Sequence, residues 1–143
     1  MCFFCSECFT IDEDDSEFAQ RLRLAMDEGD RSAIDSVIAD DCVLQISGSP
    51  EALPFAGTYT KADVIAGRVP RDDEYCEVHS LQMNVWLREP NRKYAVLCHK
   101  KATVHSTQKS FEHDYVVLIE VAEGKLKKWQ QFHDTHDLVR AFS

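Results

Sequence analysis

The spacing of apolar residues divides the chain into a helical first part and a strand-rich second part. Residues 17–28 carry apolar side chains at helical spacing and are predicted to form an amphipathic helix. Gly29 and Asp30 end that helix, and a second helix is predicted to follow, with Ile34 and Val37 facing inward.

A loop-rich middle section connects these helices to the strands. Residues 42–46 are predicted to form a strand, residues 47–60 a long loop that contains glycine and proline, and residues 61–69 a short helix. Residues 70–73 read Pro-Arg-Asp-Asp and are predicted to interrupt regular secondary structure before the strand-rich part begins.

The strand-rich part is predicted to be a four-stranded antiparallel meander. Residues 74–88 and 93–107 form its first two strands, and a hairpin over residues 111–135 turns at Gly124, which can adopt positive φ. A last turn of helix is predicted over residues 136–142. Helices followed by a meander indicate an α+β domain of two layers.

The hairpin sorts its side chains onto two faces, because successive residues of a strand point to opposite sides. One face is predicted to carry His113, Tyr115, Val117, Ile119, Trp129, Gln131 and His133. The other face carries Asp114, Val116, Leu118 and Phe132 among polar neighbours. Apolar residues on both faces indicate that both are covered, so we expect a curved sheet that wraps a pocket on one side and meets a partner on the other.

Length and composition are typical of one globular domain. The chain has 143 residues, of which 44% are hydrophobic and 29% charged, and this is enough to form a single core. We assign residues 16–143 to the domain and residues 1–15 to a flexible leader that is rich in cysteine and acidic residues.

Charge and hydropathy exclude two classes of partner. The net charge is −9, with 25 acidic against 16 basic residues, which argues against binding to nucleic acid. No apolar run approaches the roughly 20 residues of a membrane span, so no membrane partner is expected. The first residues lack the basic and apolar regions of a signal peptide, and we expect a cytoplasmic location.

The six cysteines fall into two groups. Three of them lie singly within apolar stretches and are expected to be reduced and buried: Cys42, Cys76 and Cys98. The other three have the C-x-x-C-x-x-C spacing of a metal or iron–sulfur site but lack a fourth cysteine nearby: Cys2, Cys5 and Cys8. We therefore interpret the leader as a segment without a metal, and no metal site is predicted elsewhere.

Several short motifs resemble the SnoaL-like family of the nuclear transport factor two-like (NTF2-like) superfamily, to which ketosteroid isomerases also belong. The matching segments are Ile38-Ala39-Asp40-Asp41-Cys42-Val43, Phe55-Ala56-Gly57-Thr58-Tyr59 and Phe132-His133-Asp134-Thr135. The resemblance spans residues 17–142. It implies a cystatin-like cone, in which a curved antiparallel sheet wraps around the N-terminal helices and encloses a deep, largely apolar pocket, and it implies a dimer through the outer face.

The catalytic residues of two enzymes of that superfamily have no counterpart here. Ile46 stands where ketosteroid isomerases have their carboxylate base, and Leu22 stands at their helix-one tyrosine. Lys100, Cys98 and Gln131 stand where limonene epoxide hydrolases have an Asp–Arg–Asp set. Tyr59 is expected in the core or the pocket wall.

The remaining candidates for chemistry are the polar residues of the predicted inner face. His113 lies near the position where family members place an acid that protonates or polarises a substrate carbonyl. A shift of one residue would place Asp114 there instead, and both alternatives stay open at this point. Tyr115, Gln131 and His133 are expected to position a substrate, with Trp129 as an aromatic wall.

Two hypotheses about function follow. In the first, the chain is a cofactor-free isomerase, cyclase, dehydratase or hydrolase that acts on a small, mostly apolar carbonyl or hydroxyl compound. In the second, it is a ligand-binding or dimerisation module without catalytic activity, as the loss of both carboxylate arrangements indicates. In either case we expect a homodimer through Val116, Leu118 and Phe132, unless residues 136–142 fold back over that face.

Overall fold

The computed structural model describes residues 13–89 and 92–143. The three cysteines of the predicted leader, Cys2, Cys5 and Cys8, lie outside the described residues. The first helix begins at Glu13, so the last acidic residues assigned to the leader belong to its first turn instead.

The helices of the described part have the following bounds: α1 Glu13–Asp27, α2 Arg31–Val37, α3 Lys61–Ile65, α4 Asp72–Tyr75 and α5 Thr135–Phe142. Asp30 caps α2 by accepting a hydrogen bond from the Ala33 amide at 2.8 Å. Asp134 caps α5 in the same way through the amide of His136, at 3.2 Å. Within the described residues, no helix combines the length and the hydropathy needed to cross a bilayer.

The strands form one curved, open sheet in the order β2-β1-β6-β5-β4-β3. Their bounds are β1 Ile38–Ile46, β2 Gly57–Thr60, β3 Cys76–Glu89, β4 Lys93–Val104, β5 Ser110–Ala122 and β6 Lys125–His133. The predicted antiparallel meander is confirmed as β3 to β6. β1 adds to it in parallel with β6. The short edge strand β2 lies within the region predicted to be loop, because its glycine and its four-residue length hide it from pattern analysis.

Two apolar clusters fill the concave side of the sheet. The larger one joins α1 and α2 to the sheet through residues such as Leu22, Ile34, Leu44, Val117 and Leu126. The smaller one lies under α5 and brings together Leu53, Val104, Phe111 and Leu138. The three cysteines predicted to be buried are confirmed as buried free thiols.

The convex side of the sheet carries a row of apolar side chains, and the expected contact of this face with a partner stays a prediction. The cross-strand register places Leu97 opposite Val116 and Val116 opposite Phe132, so the three side chains form a row across β4, β5 and β6. Leu97 and Phe132 are 42% and 45% exposed, and Leu118 next to the row is 39% exposed. We call these four residues the convex patch.

Helix α5 lies on the concave side and not over the convex patch. Leu138 and Phe142 of α5 line the cavity on the concave side, and Leu138 is only 2% exposed. The alternative in which residues 136–142 cover the convex patch is therefore wrong. The helix instead packs against the start of β5, where Leu138 joins the smaller apolar cluster with Phe111.

Candidate functional site

A small cavity lies on the concave face, where the two apolar clusters meet beneath α4 and α5. Its volume is about 40 Å³, which is room for a few water-sized groups. Seven of the residues predicted for the pocket line it: Ile46, Lys100, His113, Tyr115, Trp129, Gln131 and His133. The hairpin β5–β6 supplies five of these seven, as its pattern of faces predicted.

Three other residues predicted for the pocket lie elsewhere. Leu22 and Cys98 are 1% and 0% exposed and belong to the larger apolar cluster, where packing against the helices separates them from the cavity. Tyr59 lies on β2, and its hydroxyl donates a hydrogen bond to the Phe55 carbonyl at 2.9 Å. These three positions therefore build the walls behind the cavity and do not line it.

The structure resolves the one-residue ambiguity between His113 and Asp114. His113 is 6% exposed and lines the cavity. Asp114 lies on the convex face, where its carboxylate accepts a hydrogen bond from His99 Nδ1 at 2.6 Å. Glu112 binds the other nitrogen of His99 at 2.8 Å, which completes a surface cluster remote from the cavity. Because successive residues of β5 point to opposite faces of the sheet, Asp114 points away from the cavity.

A buried ion pair supplies charge at one side of the cavity. Lys100 is 5% exposed, and its Nζ lies 2.8 Å from Oδ1 of Asp72. Lys100 is the direct cross-strand neighbour of His113, so both side chains project from the concave face at the same level. Asp72 belongs to α4, and its side chain is 34% exposed, which places the carboxylate at the opening of the cavity.

We predict that Asp72→Asn lowers the free energy of unfolding by about 2 kcal/mol, because the buried ammonium of Lys100 then lacks its counter-charge. The partial exposure of Asp72 keeps this value below that of a fully buried pair. Lys100→Met should cost less, and Asp72→Asn should add little in the Lys100→Met background. Urea denaturation of the four proteins measures the cycle, and equal effects of Asp72→Asn in both backgrounds would contradict the pairing.

Four side chains form a hydrogen-bonded row on the concave face. Trp129 Nε1 donates to Gln131 Oε1 at 3.2 Å, and Gln131 Nε2 lies 2.7 Å from His133 Nε2. His133 Nδ1 in turn lies 3.1 Å from His113 Nε2. The row therefore links a buried tryptophan to the histidine beside Lys100.

The direction of this row follows from its first member, since an indole N–H can only donate. The carbonyl oxygen of Gln131 must face Trp129, so its NH₂ group donates to Nε2 of His133. A neutral His133 then carries its proton on Nδ1 and donates it to Nε2 of His113. Neutral His113 must therefore carry its own proton on Nδ1.

Both histidines are held neutral by their surroundings. Burial lowers the pKa of His133 to about 3, with His113 and Lys100 adding to the effect. Burial also lowers the pKa of His113, and the positive charge of Lys100 acts in the same direction. The tautomers that the row requires are thus the ones present near pH 7.

The N–H of His113 that results from this arrangement finds no acceptor among the residues that the structure describes. Nδ1 of His113 is buried and lacks a hydrogen-bond partner among residues 13–89 and 92–143. A buried donor without a partner costs about 1–3 kcal/mol, and sites that bind a ligand are where such a cost is tolerated. The site therefore offers one neutral donor and one ammonium group to an oxygen atom in the cavity.

Aromatic side chains close the cavity around these polar groups. Phe55 makes edge contacts with Tyr75, His133 and Phe142, at centroid distances of 6.0, 6.1 and 5.4 Å. Tyr115 packs on His133 at 4.6 Å, and burial raises the pKa of Tyr115 well above its ordinary value. Tyr115 therefore keeps its hydroxyl proton near pH 7 and forms part of the cavity wall.

Sequence reasoning missed the charged residues of α4 at the cavity. Arg71 and Asp72 both line it, although they fall in the Pro-Arg-Asp-Asp segment that was predicted only as a break. Three acidic residues in the first turn of α4 follow Arg71 and were the available signal for a short helix. The position of α4 over the cavity depends on how the long loop before it folds. The pattern of apolar and polar residues does not predict that position.

The fold has clear relatives among solved structures. An NTF2-like protein from Burkholderia xenovorans is similar with a TM-score of 0.71 at 23% identity, over 94% of this chain and 100% of that one. The chain has the NTF2-like fold. A protein from Mesorhizobium loti described as a SnoaL-like polyketide cyclase has a TM-score of 0.58 at 19% identity, over 87% and 99% of the two chains.

A third similar structure confirms the predicted cystatin-like cone. It is a protein of unknown function with a cystatin-like fold from Xanthomonas campestris, with a TM-score of 0.59 at 14% identity, over 88% of this chain and 94% of that one. No family model matches the sequence, and no curated protein matches it significantly. The predicted membership in this fold group is confirmed, and similarity at these identities establishes the fold alone.

Proposed function

We propose that this NTF2-like chain is an acid–base enzyme that acts without a cofactor on a small carbonyl or hydroxyl compound. The observation that carries the proposal is the buried N–H of His113, which lacks an acceptor within the described part of the chain and lies beside the Lys100–Asp72 ion pair. Donors held in advance around a cavity are suited to an oxygen on which negative charge develops during reaction.

Each polar group has a distinct role in this proposal. His113 donates its Nδ1 proton as a hydrogen bond to the substrate oxygen, and the ammonium of Lys100 stabilises the charge that develops on that oxygen. Asp72, whose carboxylate lies 2.8 Å from the ammonium of Lys100, accepts the proton removed from the neighbouring carbon. The reaction class is therefore proton transfer next to a carbonyl group, as in an isomerase, cyclase or dehydratase.

The walls of the cavity support a small substrate that is apolar apart from its oxygen. Met83, Val117 and Phe55 line the remaining surface. A volume of about 40 Å³ is far below the several hundred Å³ of sites for drug-sized molecules. Substrates with few non-hydrogen atoms fit this cavity best, and larger ones require the aromatic side chains of α5 and the loop to move.

Exchange of carbon-bound hydrogen in D₂O tests the proposal without knowledge of the natural substrate. Acetone, butanone and cyclopentanone are incubated with the protein, and the loss of the signals of the protons next to the carbonyl is followed by NMR. We expect exchange faster than in buffer and faster than with heat-unfolded protein. Equal rates in all three conditions, for every compound, would contradict the proposed reaction class.

The small cavity volume favours a second candidate, a binding or dimerisation module without catalytic activity. In that case the buried N–H of His113 would hold the oxygen of a bound metabolite that is released unchanged. Thermal stabilisation by the same ketones, together with no hydrogen exchange above buffer, would support this alternative over the enzyme.

We also propose that two copies of the chain associate through the convex patch. Four apolar side chains lie together on this face of the sheet, and soluble monomers rarely expose a contiguous apolar surface. A second copy placed face to face by a two-fold axis covers the patch on both chains at once.

Sedimentation equilibrium measures this association. Leu118→Glu places a charge within the convex patch and is expected to convert a dimer into a 16.4 kDa monomer. Ile65→Glu is the control, because Ile65 is similarly exposed at 41% but lies on α3, away from the sheet face. A parent protein that is monomeric at micromolar concentration would contradict the proposal.

A further inference from the structure

We propose that Lys100 is a covalent catalyst, whose amine forms an imine with the carbonyl carbon of the substrate. This inference rests on the proposed function, because it concerns the same carbonyl compound in the same cavity. It starts from the position of Lys100, which lines the cavity although its side chain is almost completely buried. Lysine is rarely buried, and a buried lysine in a closed cavity is a typical nucleophile toward carbonyl compounds.

The surroundings of Lys100 supply the proton transfers that imine formation needs. Oδ1 of Asp72 lies 2.8 Å from Nζ and can accept the ammonium proton, which leaves a neutral amine. The lone pair of the amine then attacks the carbonyl carbon.

The remaining steps balance within the site. Attack forms a C–N bond and moves the π electrons of the carbonyl onto its oxygen, where the N–H of His113 stabilises the negative charge. The oxygen takes up the proton held by Asp72, and a proton from the attacking nitrogen passes back to the Asp72 carboxylate. The resulting hydroxyl group leaves as water after Asp72 protonates it, and the nitrogen lone pair completes the C=N bond. Overall, the ammonium of Lys100 and the carbonyl compound give a protonated imine and water, and Asp72 ends as the carboxylate that it was at the start.

An imine on Lys100 strengthens the proposed chemistry. A protonated imine withdraws electrons from the neighbouring carbon more strongly than the parent carbonyl group does, so a proton on that carbon is removed more easily. His113 and Asp72 lie on either side of Lys100, as its cross-strand neighbour and its ion-pair partner. Lys100 thereby serves as the electron sink of the reaction.

Lys101 provides a control within the same strand. It follows Lys100 in β4, points to the opposite face and is exposed. Accessibility alone would make Lys101 the more reactive of the two lysines. Faster reaction of Lys100 therefore reports the chemistry of the cavity and not exposure to reagent.

Borohydride trapping tests the inference on the unaltered protein. The protein is mixed briefly with propanal, a small aldehyde suited to the cavity, and sodium borohydride reduces any imine to a stable propyl-lysine. Peptide mapping by mass spectrometry is expected to show labelling of Lys100 roughly tenfold or more above that of Lys101. Labelling of Lys100 that is absent, or no faster than that of Lys101, would overturn the inference.

A variant separates this inference from the proposed function. Lys100→Arg keeps the positive charge but cannot form an imine, and we expect it to lose the hydrogen exchange of ketones, whereas Lys101→Arg keeps it. Exchange that persists in folded Lys100→Arg would overturn the covalent route and leave the acid–base proposal standing. Trapping at Lys100 in a protein without exchange would support the nucleophile and contradict the acid–base proposal. If Lys100→Arg does not fold, the ratio of labelling in the unaltered protein still decides.

Discussion

Replacing His113 with leucine is expected to lower the rate of ketone hydrogen exchange by about 100-fold or more, the typical cost of removing one donor from an oxyanion site. The leucine fills a similar volume but offers no N–H to the substrate oxygen. It removes Nδ1, which is buried and lacks a partner among the described residues, and it also removes the acceptor of His133 Nδ1. The first change offsets the second in part, so we expect the fold to persist. NMR exchange rates and circular dichroism melting measure the two effects separately.

A second substitution distinguishes a hydrogen-bond donor from a base at this position. The amide nitrogen of asparagine can occupy nearly the position of imidazole Nδ1, so His113→Asn is expected to retain much of the activity that His113→Leu loses. An amide cannot act as a base, and equal losses in both variants would therefore contradict the tautomer derived from Trp129 and Gln131. His99→Asn is the matched control, because His99 lies on the convex face with Asp114 and Glu112.

The buried histidines are also expected to make the protein sensitive to acid. The pKa of His133 is about 3 in the folded chain, against an ordinary value of 6.5. Between these two values the unfolded chain binds a proton that the folded chain does not, so stability falls as the pH decreases through this range. From pH 6 to pH 4, His133 alone accounts for a loss of about 2–3 kcal/mol in the free energy of unfolding. The pKa of His113 is lowered as well and adds to the loss.

Urea denaturation at several pH values measures this effect. His133→Phe keeps an aromatic ring against Tyr115 but removes the titrating group, and it should reduce the slope of stability against pH between pH 6 and pH 4. His99 acts in a different pH range: hydrogen bonds to Asp114 and Glu112 raise its pKa, so its contribution to stability is present below pH 6.5 and is lost as the pH rises above that value. His99→Phe should remove that loss and should change the slope between pH 6 and pH 4 much less than His133→Phe does. A slope that His133→Phe leaves unchanged would show that His133 binds protons equally in the folded and unfolded chain, which would contradict its lowered pKa.

Much of the site on the hairpin could be predicted from sequence, because strand alternation is a local property. His113, Gln131 and His133 were assigned to one face from their spacing, and the structure places them along the cavity. The choice between His113 and Asp114 was open, because a shift of one residue exchanges the two faces of a strand. The core packing of Tyr115 and the pairing of β5 with β4 and β6 select the register that buries His113.

The contribution of α4 could not be predicted. Asp72 is 28 residues from Lys100 in the chain, and their contact depends on how the segment before β3 crosses the open end of the sheet. The placement of Leu22 and Cys98 failed for a related reason. Alignment to a family position identifies a strand or helix and its face, but the packing of neighbouring side chains decides whether that residue reaches the cavity.

The sequence by itself determined the order of helices and strands, the meander, the two faces of the hairpin and the resemblance that identifies the cone. These features depend on local periodicity and on turns, which short stretches of chain encode. Only the tertiary structure decided the size of the cavity, the Lys100–Asp72 pair, the direction of the histidine row and the exposure of the convex patch. Each of these depends on contacts between residues far apart in the chain, and such contacts exist only after the sheet has curved and its helices have packed.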